Sequence, residues 1–162
     1  MAAAYRLAPS GVVRASDGAF IPADLANADW GRYQAWLAVP NTPDPVPAAA
    51  PKDTFNLAIA AGLAVTSSGT PALNATYALD RDALFNITSE QVYIATKGTF
   101  TNGGATRAWL DAAGTPHVFP SVAAFTAFAE AVAQYVDSLN TALVTAEQGG
   151  TPAWPAAAAS IP

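Results

Sequence analysis

The stretch SVAAFTAFAEAVAQYVDSLNTALVTAEQ, residues 121–148, decides how the rest of the chain is read. Ser121 follows Pro120 and offers a hydroxyl to the first free amides of a helix. Val122, Phe125, Ala129, Val132, Val136, Leu139 and Leu143 then recur at alternating spacings of three and four. This pattern predicts one apolar stripe on a helix of about 26 residues, roughly 40 Å long. Phe128 and Tyr135 widen the stripe, and Gly149-Gly150 ends the helix. The first reading is a core helix lying on a small sheet. The same spacing also suits association with further copies. Val122, Phe125, Val132, Val136, Leu139 and Leu143 are therefore candidates for the core or for an oligomer seam.

Upstream of this helix, Thr106–Asp111 and Pro116–Phe119 read as a second hairpin, turning at Ala-Ala-Gly-Thr. Asp80 to about Lys97 is a helix closed by Gly98, with a slip in spacing near Thr88-Ser89. Leu63–Thr66 and Asn74–Leu79 alternate well enough to pair as antiparallel strands, and a helix runs from Asp53 to about Gly62.

Nearer the start, Val12-Val13-Arg14 and Ala19-Phe20-Ile21 flank Ser16-Asp17-Gly18, a hairpin whose Asp-Gly pair accepts positive φ. Asn27 or Asp24 caps a short helix over about Ala28–Ala38 that carries Trp30, Tyr33 and Trp36. The first reading is that these rings pack on the preceding hairpin to make a mini-domain. A two-stranded hairpin has little room for three large rings, so Trp30, Tyr33 and Trp36 are, as the alternative, candidate anchors for a partner protein. Asn41–Pro51 holds four prolines and reads as a semi-rigid spacer. The uncharged tail after Gly150, with Trp154 and three prolines, is expected to be disordered or laid on a neighbour, which makes Trp154 a fourth docking candidate.

The fold class that results is α+β. Residues 1–40 form a hairpin–helix module and 41–51 a proline-rich linker. Residues 52–148 form a small antiparallel sheet packed on helices, and 149–162 an extended tail.

Of the 162 residues only 12% are charged, with a net charge of -5 and no cysteine. The seven basic residues are scattered, so no run of phosphates can be neutralised and nucleic-acid binding is not expected. Without cysteine there is no disulfide framework and no thiolate site. The start MAAAYRLAPS lacks the pattern of a signal peptide, and no apolar run reaches the length of a membrane span.

The search for chemistry finds little. His117 is the only histidine and sits beside Val118 and Phe119, where a structural role is expected. A metal site needs further ligands of that kind. Asp80 and Asp82 flank Arg81 at a helix start, where acidic groups favour the dipole. Asn102-Gly103-Gly104 lacks the lysine and spacing of a phosphate loop. Catalytic residues, cofactor-binding residues and metal ligands are all expected to be absent, and the chain is not expected to be an enzyme.

Residues 11–24, GVVRASDGAFIPAD, followed by NADWGRYQAWLA from Asn27 and NTPDP from Asn41, resemble an N-terminal module of tailed-bacteriophage tail proteins. The likeness covers about residues 5–47 with every landmark in order. The remainder, with Gly62–Asp80, the Thr99–Gly104 stretch, the Trp109 hairpin and the Tyr135 helix, resembles a domain of unknown function found behind that module. The resemblance implies a virion protein of the tail, made in the host cytoplasm. Its partners would be fibre, baseplate or adaptor proteins, with a homo-oligomer as a further reading. An assembly factor that leaves the particle is the alternative, and a glycan-binding fibre module, suggested by Trp109 and Trp154, a weaker one.

Overall fold

The computed structural model describes residues 4–47 and 49–162. Residues 1–3 and Ala48, which fall in the expected N-terminal module and spacer, lie outside the described residues. The chain divides into two units, Met1–Ala49 and Ala50–Pro162.

The first unit is a three-stranded antiparallel meander with one helix. β1 (Tyr5–Ala8), β2 (Gly11–Arg14) and β3 (Phe20–Pro22) pair in that order, with Leu7, Val12 and Ile21 opposite one another. The sequence reading placed two strands here, and β1 is the addition. Its four residues precede Pro9 and follow an alanine run, so they carry little strand signal. Gly11 is required by packing, since a Cβ there would lie 2.1 Å from the Ile21 carbonyl oxygen.

At the β2–β3 turn Gly18 adopts φ 71, and Asp17 receives the Arg14 guanidinium at 2.8 Å. That contact raises the Arg14 pKa and lowers that of Asp17. α1 (Ala28–Ala38) is capped by Asn27, whose Oδ1 accepts from the amides of Asp29 and Trp30 at 2.9 and 3.3 Å.

The spacer is shorter than expected at both ends. Asp44 bonds the free edge of β1, donating its amide to Tyr5 O at 2.9 Å and accepting from Leu7 N at 2.8 Å. At the other end Pro51 is already the first residue of α2 (Pro51–Ala61), where its missing N–H costs nothing.

In the second unit β4 (Leu63–Ser67) is central. β5 (Ala75–Tyr77) pairs with it antiparallel and β8 (Ala158–Ile161) parallel. α3 (Arg81–Lys97) runs without the break considered at Thr88-Ser89, between an Asp80 cap and Gly98 in the left-handed region. β6 (Arg107–Leu110) and β7 (Pro116–Phe119) form the expected hairpin, which leads into α4 (Val122–Glu147).

α4 holds the unit together. Phe125, Phe128, Ala129, Val132, Tyr135, Leu139 and Ala142 are its buried face. The rings of Tyr77, Phe119, Phe125 and Phe128 pack in edge-on and tilted pairs, with centroids 4.7–6.3 Å apart. Phe125, Val132 and Leu139 lie in the core of their own chain, as in the first reading of the stripe. One correction concerns its centre. Val122, Val136 and Leu143 are only half-buried, because Phe128 and Tyr135 rotate the true centre of the stripe away from them.

The tail is the other correction. Residues 149–162 are not a free extension: β8 joins β4, and Ile161 is buried. Ala64 N donates to Ala157 O at 3.0 Å and Ser68 N to Ile161 O at 3.1 Å. The side chains of Ala158 and Ala159 are too small to print an alternating pattern, yet their backbone satisfies an edge of β4 that would otherwise be open.

Candidate functional site

Three arrangements concentrate unusual side chains, the first of them on α1. Tyr33 lies in the core of the first unit at 4% exposure, so it is not a docking anchor. The reason is β1. Its Tyr5 ring stands 5.1 Å from Tyr33 and 5.1 Å from Trp36, adding an aromatic layer that a two-stranded hairpin would lack. Trp30 and Trp36 pack on the same cluster and stay half-buried. Trp154, in the second unit, is also half-buried against the main core rather than free. The exposed apolar side chains of the first unit lie elsewhere: Phe20 is 51% exposed, Leu25 93% and Val39 60%.

The second arrangement is a cleft of about 580 Å³ between the first turns of α3 and strand β6. Asp80, Asp82, Asn86 and Ser89 line it from the helix, and Arg107 and Trp109 from the strand. Arg107 and Trp109 are two residues apart on β6 and so share a face. The guanidinium carbon lies 5.9 Å from the indole centroid. Behind the guanidinium is Glu90, 3% exposed and 3.5 Å from Arg107 Nη2. Both Glu90 oxygens are occupied by Thr101, whose amide donates at 2.8 Å and whose hydroxyl donates at 2.7 Å. Arg107 Nε is buried without a hydrogen-bond partner among the described residues.

The sequence reading passed over both charges. Glu90 stands three residues after Ile87 and four before Ile94, on the apolar face of α3. A carboxylate at a core position was the available signal.

The third arrangement is at His117, where a structural role was expected. Nδ1 is 2.7 Å from Ala72 O and Nε2 3.1 Å from Asp111 Oδ2, so the ring ties β7 to the single-turn helix Pro71–Leu73 and to its own hairpin turn. The Ala72 carbonyl, then Asp111, raise the His117 pKa. The amide of Thr115, then His117, hold Asp111 below the usual carboxylate range. Beside them Tyr77 donates its buried hydroxyl to Leu73 O at 3.0 Å, and burial pushes its pKa up to about 12.

Among the described residues no group of three or more His, Cys, Asp or Glu side chains could hold a metal ion, and no helix is long and apolar enough to cross a membrane. Comparison with protein-family models, curated proteins and solved structures finds no match to the chain.

Proposed function

We propose that the chain is a structural component of a phage or phage-like tail, linking or decorating fibres or baseplate through protein–protein contacts. The observation that carries this reading is the coincidence between the landmarks of the tail-protein likeness and the working parts of the first unit. Asp17 and Gly18 make the turn, Asn27 caps α1 and Tyr33 fills the core. Asn41 donates to the Trp36 carbonyl at 2.8 Å, ending α1, and Asp44 closes the β1 edge. The likeness and the fold of the first unit thus rest on the same residues, which is what supports the reading. On this reading the exposed Phe20, Leu25 and Val39 are the candidate contact residues of the first unit.

The test is quantitative mass spectrometry of particles banded and washed from the phage or prophage that encodes the chain. A constant stoichiometry supports a virion component. Absence from particles, with fibres that fail to mature when the gene is deleted, moves the reading to the assembly factor. Absence with normal fibres ends the tail reading altogether.

A further inference from the structure

The β5–β4–β8 sheet of the second unit has two outer edges, and the fold covers one of them. Ala112, in the turn of the β6–β7 hairpin, donates its amide to Thr76 O on β5 at 2.8 Å. The other edge is β8. Its ladder with β4 uses the carbonyls of Ala157 and Ile161, which accept from Ala64 N and Ser68 N. Bonding groups alternate along such a ladder, so Ala158 and Ser160 turn their amides and carbonyls away from β4. No other hydrogen bond among the described residues reaches these main-chain groups. Ala158–Ile161 also lacks the charge or proline that commonly blunts an edge.

Beside this edge runs a groove of about 300 Å³, lined on the helix side by Ala131, Gln134, Tyr135 and Ser138 of α4. Tyr135 is only 6% exposed, yet its hydroxyl has no hydrogen-bond partner among the described residues. Arg107 Nε is the one fully sealed side-chain polar atom without a partner among them, so the Tyr135 hydroxyl still reaches the surface. Gln134 is exposed, and its side-chain amide is unpaired as well. An open strand edge with a helix alongside suits an extended peptide, which adds a strand and lays alternate side chains in the groove.

Charge decides between a second copy and a different protein. Beyond Arg107 the chain carries Asp111, Glu130, Asp137 and Glu147, and no lysine or arginine. Glu130 and Asp137 are exposed and lie one turn either side of Gln134. Two copies joined at this edge would bring these acids together, whereas a segment with basic ends meets them favourably.

We infer that the free edge of β8 takes an extended segment of a different protein as a fourth strand, with small uncharged residues facing Tyr135 and Gln134 and basic residues at its ends. The inference stands on the second unit alone, whether or not the chain is part of a tail.

The test is amide hydrogen exchange by NMR on the full chain. The probes are short lysine-ended peptides of threonine alternating with alanine, valine or isoleucine. At least one should bind with a Kd of about 1 mM or tighter and slow exchange at the Ala158 and Ser160 amides about tenfold. Aspartate-ended counterparts should bind about tenfold more weakly at low salt. Ala158→Pro removes only an outward amide, so binding should weaken about tenfold with the thermal melt unchanged. Tyr135→Phe keeps the buried ring and should weaken binding about threefold. No binding by any of the peptides at about 5 mM would overturn the inference. So would binding that leaves both amides in fast exchange, equal affinity for aspartate-ended peptides, or wild-type affinity in both variants. Protection of the two amides that grows with protein concentration alone would show that a second copy fills the edge, which also overturns it.

Discussion

His117 Nε2 stands 3.1 Å from Asp111 Oδ2 while Nδ1 faces the Ala72 carbonyl at 2.7 Å, so both ring nitrogens look at acceptors. Only the imidazolium can donate to both. The His117 pKa is raised above its ordinary value of about 6.5, so its contribution to stability is full below about pH 6.5. It is lost as pH rises through the folded-state pKa. Asp111 is lowered, so its contribution is full above about pH 4 and is lost as pH falls through its folded pKa. Urea midpoints should therefore fall as pH rises above about 6.5 in the wild type and stay flatter in His117→Gln. The single histidine resonance gives an independent check, because its midpoint should lie above about 6.5. Equal slopes in the two proteins would show that the pair is not coupled to folding.

The centre of α4 should be the most sensitive part of the second unit. Leu139 is fully buried, and Leu139→Ala should cost about 2–5 kcal/mol by calorimetry. Thr141→Ala, on the exposed side, should stay within about 0.5 kcal/mol. Val136→Ala should fall between them, because that side chain is half-buried. A Val136 variant as damaging as the Leu139 variant would mean that the buried face is centred where the simple spacing put it.

Glu90 is a buried carboxylate whose two oxygens hold the start of the Thr101 turn. Glu90→Ala would strand the Thr101 amide and leave the Arg107 guanidinium without its ion-pair partner, a loss of about 3–5 kcal/mol. Glu90→Gln keeps an acceptor for the Thr101 amide and should cost less than half as much. Thermal melts of the two variants settle the order. If Gln is as harmful as Ala, the negative charge matters more than the hydrogen bonds.

What could be read from the sequence follows from how each residue announces its role. The Asn27 and Asp80 caps, the Asp17-Gly18 turn and the α4 stripe are local signals, and each element lies close to where those residues put it. β1 and β8 are made by pairing at a distance, with short or alanine-rich segments whose side chains carry no period. Burial of Tyr33 in the module agrees with the first reading of α1, and the docking alternative fails for Tyr33 because its cover, Tyr5, arrives on a strand that local pattern does not reveal. The cleft was half visible. Trp109 and the Asp80–Asp82 pair were noticed separately, but only the packing of β6 near α3 brings them together with Arg107.

On the first unit, stability and partner binding should separate. Tyr33→Ala removes a buried ring and should unfold or strongly destabilise the unit, a loss of about 3–5 kcal/mol. Leu25 is 93% exposed, so Leu25→Ser should leave the melt unchanged and, on the tail reading, lower incorporation into particles. Circular-dichroism melts and particle composition measured on the same variants test both halves. Normal incorporation of Leu25→Ser together with Phe20→Ser would show that this surface is not the docking face.

The last strand provides the strongest contrast with a free tail. β8 supplies Ile161 to the core and four residue pairs to β4, from Ala64↔Ala158 to Ser67↔Ile161. Thr66 and Ser160 meet at 3.1 Å across the pair, and Ser67 donates its hydroxyl to Pro162 O at 2.7 Å. Ending the chain at Pro155 would remove these bonds and the Ile161 side chain, and leave β4 with one open edge. An open edge of this kind is a template for pairing with other chains. The truncated protein should melt well below the full chain and form concentration-dependent oligomers by light scattering. Ile161→Ala is the milder test, with an expected loss of about 2–4 kcal/mol and no oligomers, since the strand backbone remains. A truncation that melts like the full chain and stays monomeric would mean that β8 contributes nothing to the fold, and that the segment after Gly150 behaves as a tail.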